Sequence, residues 1–429
     1  MMPAAATRRA GVKQRDDGDV RCSGASAKSV LGVRRRLTVV GFAGLVVLGG
    51  AAQASAATLN VCPSGCTYSR IQDAIDHAHN GDTIKIAAAA SPYAAFNVPG
   101  GNTNGLNSVT LEGAGAGRTT ITTGEDSGQV VGIDAGSVTL GGVTINGNPG
   151  TIGITNSGTL TLNNSTVTNN TTDENGDGGS GILNFGTMTL NASTVSHNGG
   201  SGGPSGIGSS GTLTLNNSTV SNNTAFVAAG IDSFQGAVTL NNSTVSNNVA
   251  DLSGGGIFNS EGTVTLNNST VSNNRAFIAD VVGIDGVGAG IYNIAFNVPG
   301  ATPSAVTLNN STITSNTAGN SGGGIANIAS NGPGAPSAVL TLNNSTITDN
   351  AAGTDGGGIF NDDGTTTLRN SQVTGNTANE NNTATPGGGI WTGDGGTLTL
   401  SSSIVRCNDP DNIFGSYTQK TSRVSGGSC

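Results

Sequence analysis

Charge and aromatic rings are what this chain has least of. Only 10% of its 429 residues are Asp, Glu, Lys or Arg, and 3% are Phe, Trp or Tyr, with a single tryptophan. A globular domain carries about 25% charged and about 45–50% apolar residues. With 34% apolar residues here, a thick mixed core is excluded. Disorder is excluded too, because Leu, Val and Ile recur at fixed positions instead of being depleted. Glycine fills the space, 70 residues of it, with Thr, Asn and Ser.

Arg34, Arg35 and Arg36 precede an apolar run from Leu37 to Ala52, followed by Ala54-Ser55-Ala56. Residues 1–56 therefore read as a secretory signal with an extended basic region. The run is broken by glycines and falls short of the roughly 20 residues a membrane span needs, so no integral membrane association is expected after cleavage. The segment holds 9 of the 17 basic and 3 of the 26 acidic residues, leaving 8 basic against 23 acidic and a net charge of −15. Such a surface repels phosphate backbones, which excludes nucleic acid as a partner; it suits cations, neutral sugars or plain solubility. Cys22 leaves with the signal. The four that remain suit an oxidising compartment and read as two short-range disulfides, Cys62–Cys66 in CPSGC and Cys407–Cys429 at the end, with zinc binding the weaker rival because no His lies near either pair.

The stretch GTLTLNNSTVSNN at 211–223 recurs almost unchanged at 158–170 and 262–274. Its Leu before the Asn step returns at 111, 140, 162, 190, 215, 240, 266, 308, 342, 368 and 400. A period mostly in the twenties that stretches without breaking marks a solenoid. Inside each repeat the apolar period is two: Thr212-Leu213-Thr214-Leu215, an Asn pair, Ser218-Thr219-Val220-Ser221, a second Asn pair. A third strand follows, as GGGIF at 254–258, GAGIY at 288–292, GGGIA at 322–326, GGGIF at 356–360 and GGGIW at 387–391. Three short strands per turn make one coil of an all-β, single-stranded parallel β-helix with ten to eleven coils. Thr, Asn, Ser and Gly at the intervening positions disfavour helix. The Asn pairs are corners, because Asn tolerates the left-handed conformation a tight bend requires, and stacked Asn side chains can hydrogen-bond between coils.

An open stack needs caps. Ser69-Arg70-Ile71-Gln72 reads as a capping box, with Ile71, Ala74, Ile75 and Ala78 on one helical face and Asn80-Gly81 as the stop. The expected order is signal 1–56, cap and first coil 57–107, repeats 108–406 and a C-terminal cap 407–429 that leaves the repeat.

The opening CTYSRIQDAIDHAHNGDTIKI resembles the amino-terminal cap of the pectin-lyase-like superfamily of right-handed β-helices. The GGGI-x-N strands, with Val220-Ser221-Asn222-Asn223 in place of a Phe-x-x-Asn motif, resemble repeats of polymorphic outer-membrane adhesins. The resemblance covers roughly 62–429. It implies right-handed coils with GGGI as first strand, TLTL as second and STVS as third, and leaves the activity open.

Insertions avoid the corner between second and third strands and flank the GGGI strand, at 171–179, 275–288, 377–386, 294–304 and 328–337, so loops should wall a groove on that face. With Ile257, Ile291, Ile359 and Ile390 pointing inward, Phe258, Tyr292, Phe360 and Trp391 point outward and form a candidate sugar-stacking column; their burial under loops is the competing reading. Asp173, Asn175 and Asp177 fit the start of a calcium loop, although Asn184 stands where the bidentate Glu is needed. Catalytic candidates are weak. Lyases of the resembled family pair acidic calcium ligands with a basic residue, which here implies Arg275 with Asp280 and Asp285. Asp362 and Asp363 are the candidate carboxylate pair for hydrolysis. The outward Thr preceding each recurrent Leu forms a ladder reminiscent of ice-binding solenoids, although Thr is also simply favoured on exposed strands. The expectation is a secreted or cell-surface monomer, non-catalytic, that binds polysaccharide or a cell-surface glycan as an adhesin does. The alternatives are a calcium-dependent polysaccharide lyase or glycoside hydrolase, and a structural surface or ice-binding protein.

Overall fold

A computed structural model describes residues 55–100, 106–123, 128–172, 179–200, 203–277, 286–296, 302–329, 337–379, 387–393 and 395–425. The chain divides into units 1–54 and 55–429, and all described residues lie in the second. Among the described residues every strand pairing is parallel and joins one coil to the next. The described strands fall into sheets of 14, 12 and 13 members, with a fourth ladder of 7.

The second-strand sheet is the most regular. The eleven Leu-bearing rungs are extended by Thr58–Val61 and Thr83–Ile86 at one end and by Thr418–Lys420 at the other. Leu190, Leu215, Leu240 and Leu266 lie in direct register and are fully buried. Val195, Val220 and Val245 do the same in the third-strand sheet, and Ile231, Ile257 and Ile291 in the first. Three inward columns thus share one core. Each buried Leu or Ile contributes about 1.5–3 kcal/mol relative to exposure, a gain one coil alone cannot realise.

The corners follow the Asn code. Asn217 has φ 49° and Asn222 φ 55°, with the equivalent residues above and below left-handed as well; His197 takes an Asn place with φ 56°. The outward Asn of the first corner forms a relay in which Asn216 Nδ2 donates to Asn191 Oδ1, and Asn241 Nδ2 to Asn216 Oδ1, both at 2.9 Å. At the second corner the ladder is buried and runs the opposite way. Asn223 donates both N and Nδ2 to Asn248 Oδ1, and Asn248 both to Asn274 Oδ1, at 2.9–3.1 Å. Since each amide donates to the following coil, the first acceptor has no donor: Asn170 Oδ1 is buried and unbonded. A third buried ladder, Asn259 to Asn293 to Asn327 to Asn361, lines the first-strand sheet. Its first acceptor, Asn259 Oδ1, is likewise unbonded where Ser233 interrupts the column.

Three features depart from the sequence reading. The coil has a fourth strand of two residues, as in Thr224–Ala225, Val249–Ala250 and Arg275–Ala276, so several insertions begin two residues later than expected. Ser69 does not cap the helix Ile71–His77: Arg70 is the N-cap, without a side-chain hydrogen bond. Gln72 instead clips the helix to the coil, accepting from Asn97 N and donating to Asn97 O. Finally, 407–425 does not leave the repeat but makes one more coil, with Phe414 over Trp391, Thr418 over Thr399 and Val424 over Val405. Asn412 Oδ1 receives the last Asn408 bonds. Cys62–Cys66 is bonded, as is Cys407; Cys429 lies outside the described residues.

Candidate functional site on the first-strand face

The residue after each inward Ile or its equivalent faces outward, and the register stacks these residues in one column. In order they are Thr155, Leu183, Gly208, Asp232, Phe258, Tyr292, Ala326, Phe360, Trp391 and Phe414. Phe258, Tyr292, Phe360 and Trp391 therefore share one surface, and sequence reasoning missed two members, Asp232 and Phe414. Ala326 divides the rings into two groups. Phe258 and Tyr292 meet edge to face at 5.1 Å, whereas Phe360 stacks on Trp391 at 4.5 Å and 12° and Trp391 on Phe414 at 6.4 Å and 18°.

The glycines ahead of these rings explain how they sit. Gly254 and Gly288 have φ +68° and +63°, which turns the chain back over its own strand; a Cβ there would lie 2.7 Å from Phe258 Cβ and 2.6 Å from Tyr292 Cβ. The ring bases are thus covered by local backbone, all of the rings are half-buried, and burial pushes the Tyr292 phenol up to about 12. The column is part satellite core and part surface.

Trp391 and Phe414 line a cavity of about 440 Å³ shared with Asp362 and Gly393. Burial, and then the neighbouring Asp363, raises the Asp362 carboxyl above its ordinary range. Asp363, the next residue, is left-handed with φ 55°. Arg275 is elsewhere, in the fourth ladder, with its guanidinium 4.5 Å above the Phe277 ring. Asp280 and Asp285 lie outside the described residues, as do Asp173, Asn175 and Asp177. Among the described residues no three His, Cys, Asp or Glu side chains converge as a metal cluster.

Residues 118–276 match the family model for a right-handed β-helix region. Over that region the match agrees with the parallel, coil-to-coil strand pairing as a right-handed β-helix. Similar solved structures include the A-module of the mannuronan C-5 epimerase AlgE4 from Azotobacter vinelandii, at 14% identity and TM-score 0.42, covering 83% of this chain and 95% of that one. The pectate lyase Pel9A matches at 12% identity and TM-score 0.35, over 86% of this chain and 78% of its own. The A-module of AlgE6 from the same bacterium matches at 16% and 0.36, over 82% and 92%. No curated protein matches the chain.

Proposed function

We propose that this β-helix is an exported, non-catalytic protein that binds polysaccharide or a cell-surface glycan along its first-strand face. One observation carries the reading. Phe360, Trp391 and Phe414 form a stacked series of rings, and the last two line a cavity together with Asp362. Apolar pyranose surfaces pack against the ring surface that Trp391 and Phe414 leave open to the cavity, while a few polar groups fix orientation. The loop insertions beside this sheet and the acidic, phosphate-repelling surface agree with a glycan partner. The test is a glycan array followed by titration of each hit. Trp391→Ala with Tyr292→Ala should weaken binding tenfold or more without unfolding the protein; binding unchanged by the pair would sink the proposal.

The Asp362–Asp363 pair favours a second reading, hydrolysis or lysis of a polysaccharide. A carboxyl raised by burial and a like charge is suited to donate a proton. Reducing-end and unsaturated-product assays on uronic-acid and neutral polymers, with and without chelator, separate the readings. Turnover abolished by Asp362→Asn would replace the binding proposal with an enzymatic one.

A further inference from the structure

Three consecutive coils in the middle of the first-strand face break the pattern of their neighbours. Their outward positions are occupied by Leu183, Gly208 and Asp232 in turn. Two residues further along each strand stand Phe185, Ser210 and Phe234. The middle coil therefore carries Gly and Ser where the coils on either side carry large side chains. A notch one coil deep results, with the phenylalanines two coils apart, about 10 Å at the usual strand spacing. Rings stack at about 3.5–4 Å from what they contact, so the gap takes one ring-sized group between them. Pro204 closes the back: a Cβ on Gly208 would sit 2.6 Å from its Cγ. The cavity is about 610 Å³, larger than the one beside Trp391, and its two rings are among the most exposed large apolar side chains described, Phe185 at 58% and Phe234 at 51%.

Among the described residues, Asp232 is the only charged side chain lining this cavity. It is half-buried and, among the described residues, makes no hydrogen bond or ion pair. Gln235, at the rim, is bonded to Glu261 through Nε2 at 2.9 Å and so is turned away from it. Among the described residues no Lys or Arg lines the notch, and residues 55–429 carry a large excess of negative charge. A carboxylate without donors, between apolar rings and with no cation nearby, is an incomplete arrangement. An ammonium group completes it by supplying charge, donors and a favourable contact with the ring faces. A uronate would instead bring a second carboxylate into an apolar cleft, which is repulsive.

Building on the proposed glycan-binding role of this face, we infer that the Leu183–Asp232 notch is a subsite for an amine-bearing pyranose, with the sugar between Phe185 and Phe234 and its ammonium on Asp232. The group is thereby chosen by charge, so the glycan partner is a cationic, glucosamine-type polymer and not a polyuronate. Burial lifts the Asp232 carboxyl to about 6. Among the described residues no second titratable side chain lines the cavity, and Glu261 touches it only through Gln235. Acidification through pH 6 should therefore loosen the ammonium contact.

The experiment titrates the full chain with glucosamine hexamer, N-acetylglucosamine hexamer and galacturonate hexamer at pH 6.5 and 4.5. Glucosamine hexamer should bind at least tenfold tighter than either competitor at pH 6.5, and most of that preference should vanish at pH 4.5. Asp232→Asn should erase the preference while leaving thermal unfolding cooperative. Phe234→Ala should weaken the glucosamine hexamer several-fold with Asp232 intact. Equal affinity for acetylated and free amines, or a preference that survives Asp232→Asn, overturns the inference. Binding without amine preference removes only this subsite; absence of binding to any glycan removes the broader reading as well.

Discussion

The second-strand and first-strand sheets are built from the same coils, yet one is uniform and the other is not. On the second-strand sheet, Thr110, Thr139, Thr161, Thr189 and Thr214 face outward in unbroken register, as do the Thr residues of the coils that follow. On the first-strand sheet the outward position changes from coil to coil, through Leu, Gly, Asp, Phe, Tyr, Ala, Phe, Trp and Phe. Positions that serve stacking must repeat, because each contacts its own copy above and below. A position that varies while its coil stays in register is free of that requirement, and its side chains are available for recognition.

The sharpest way to break this contrast is to cut a repeating ladder. Asn248 is fully buried, accepts two bonds from Asn223 and donates two to Asn274 and one to Val220 O. Asn248→Ala leaves buried donors and an acceptor unbonded at about 1–3 kcal/mol each, so a loss of roughly 3–5 kcal/mol is expected in urea denaturation. A loss below about 1 kcal/mol would mean the ladder is ornamental.

A change of opposite sign is expected on the variable face. The folded Asp232 carboxyl is raised from 3.8 to about 6, so the native state holds its proton more tightly than the unfolded chain. Its ionisation then costs stability as pH rises through that window, up to about 3 kcal/mol before screening is discounted. Asp232→Asn should accordingly raise the melting temperature at pH 7.5 and leave it unchanged at pH 3.5. Equal effects at both pH values would show that burial of the charge is not what the substitution relieves.

The smallest effect belongs to the uniform face itself. Thr239→Val keeps the β-branched shape on a half-exposed outward position, and stability should move by no more than about 0.5 kcal/mol. If that substitution instead abolished a measured ice-growth inhibition, the threonine surface would have a role beyond solubility.

Much of the architecture was legible because the code is written in columns: the inward Leu, Val and Ile, the left-handed Asn and the outward Phe258, Tyr292, Phe360 and Trp391 each follow from position within the repeat. The fourth ladder was not, because a two-residue strand such as Thr224–Ala225 is too short to show a period. Asp232 and Phe414 were missed because their strands, Gly230-Ile231-Asp232 and Asn412-Ile413-Phe414, lack the triple glycine that marked the others. The residue following the inward Ile was the usable signal. Gln72 misled for a different reason: a capping spacing on paper was spent on bonds to Asn97, a partner 25 residues away.

The 25 residues that separate Leu190 from Leu215, and Leu215 from Leu240, return every column to its own place. A copying slip in the gene that added or dropped that unit would hand the polypeptide a longer or shorter body without requiring a new hydrophobic arrangement. Descendants of such an event could differ in reach and in the order of their exposed groups while remaining the same object, as a ruler remains a ruler when extended by one division.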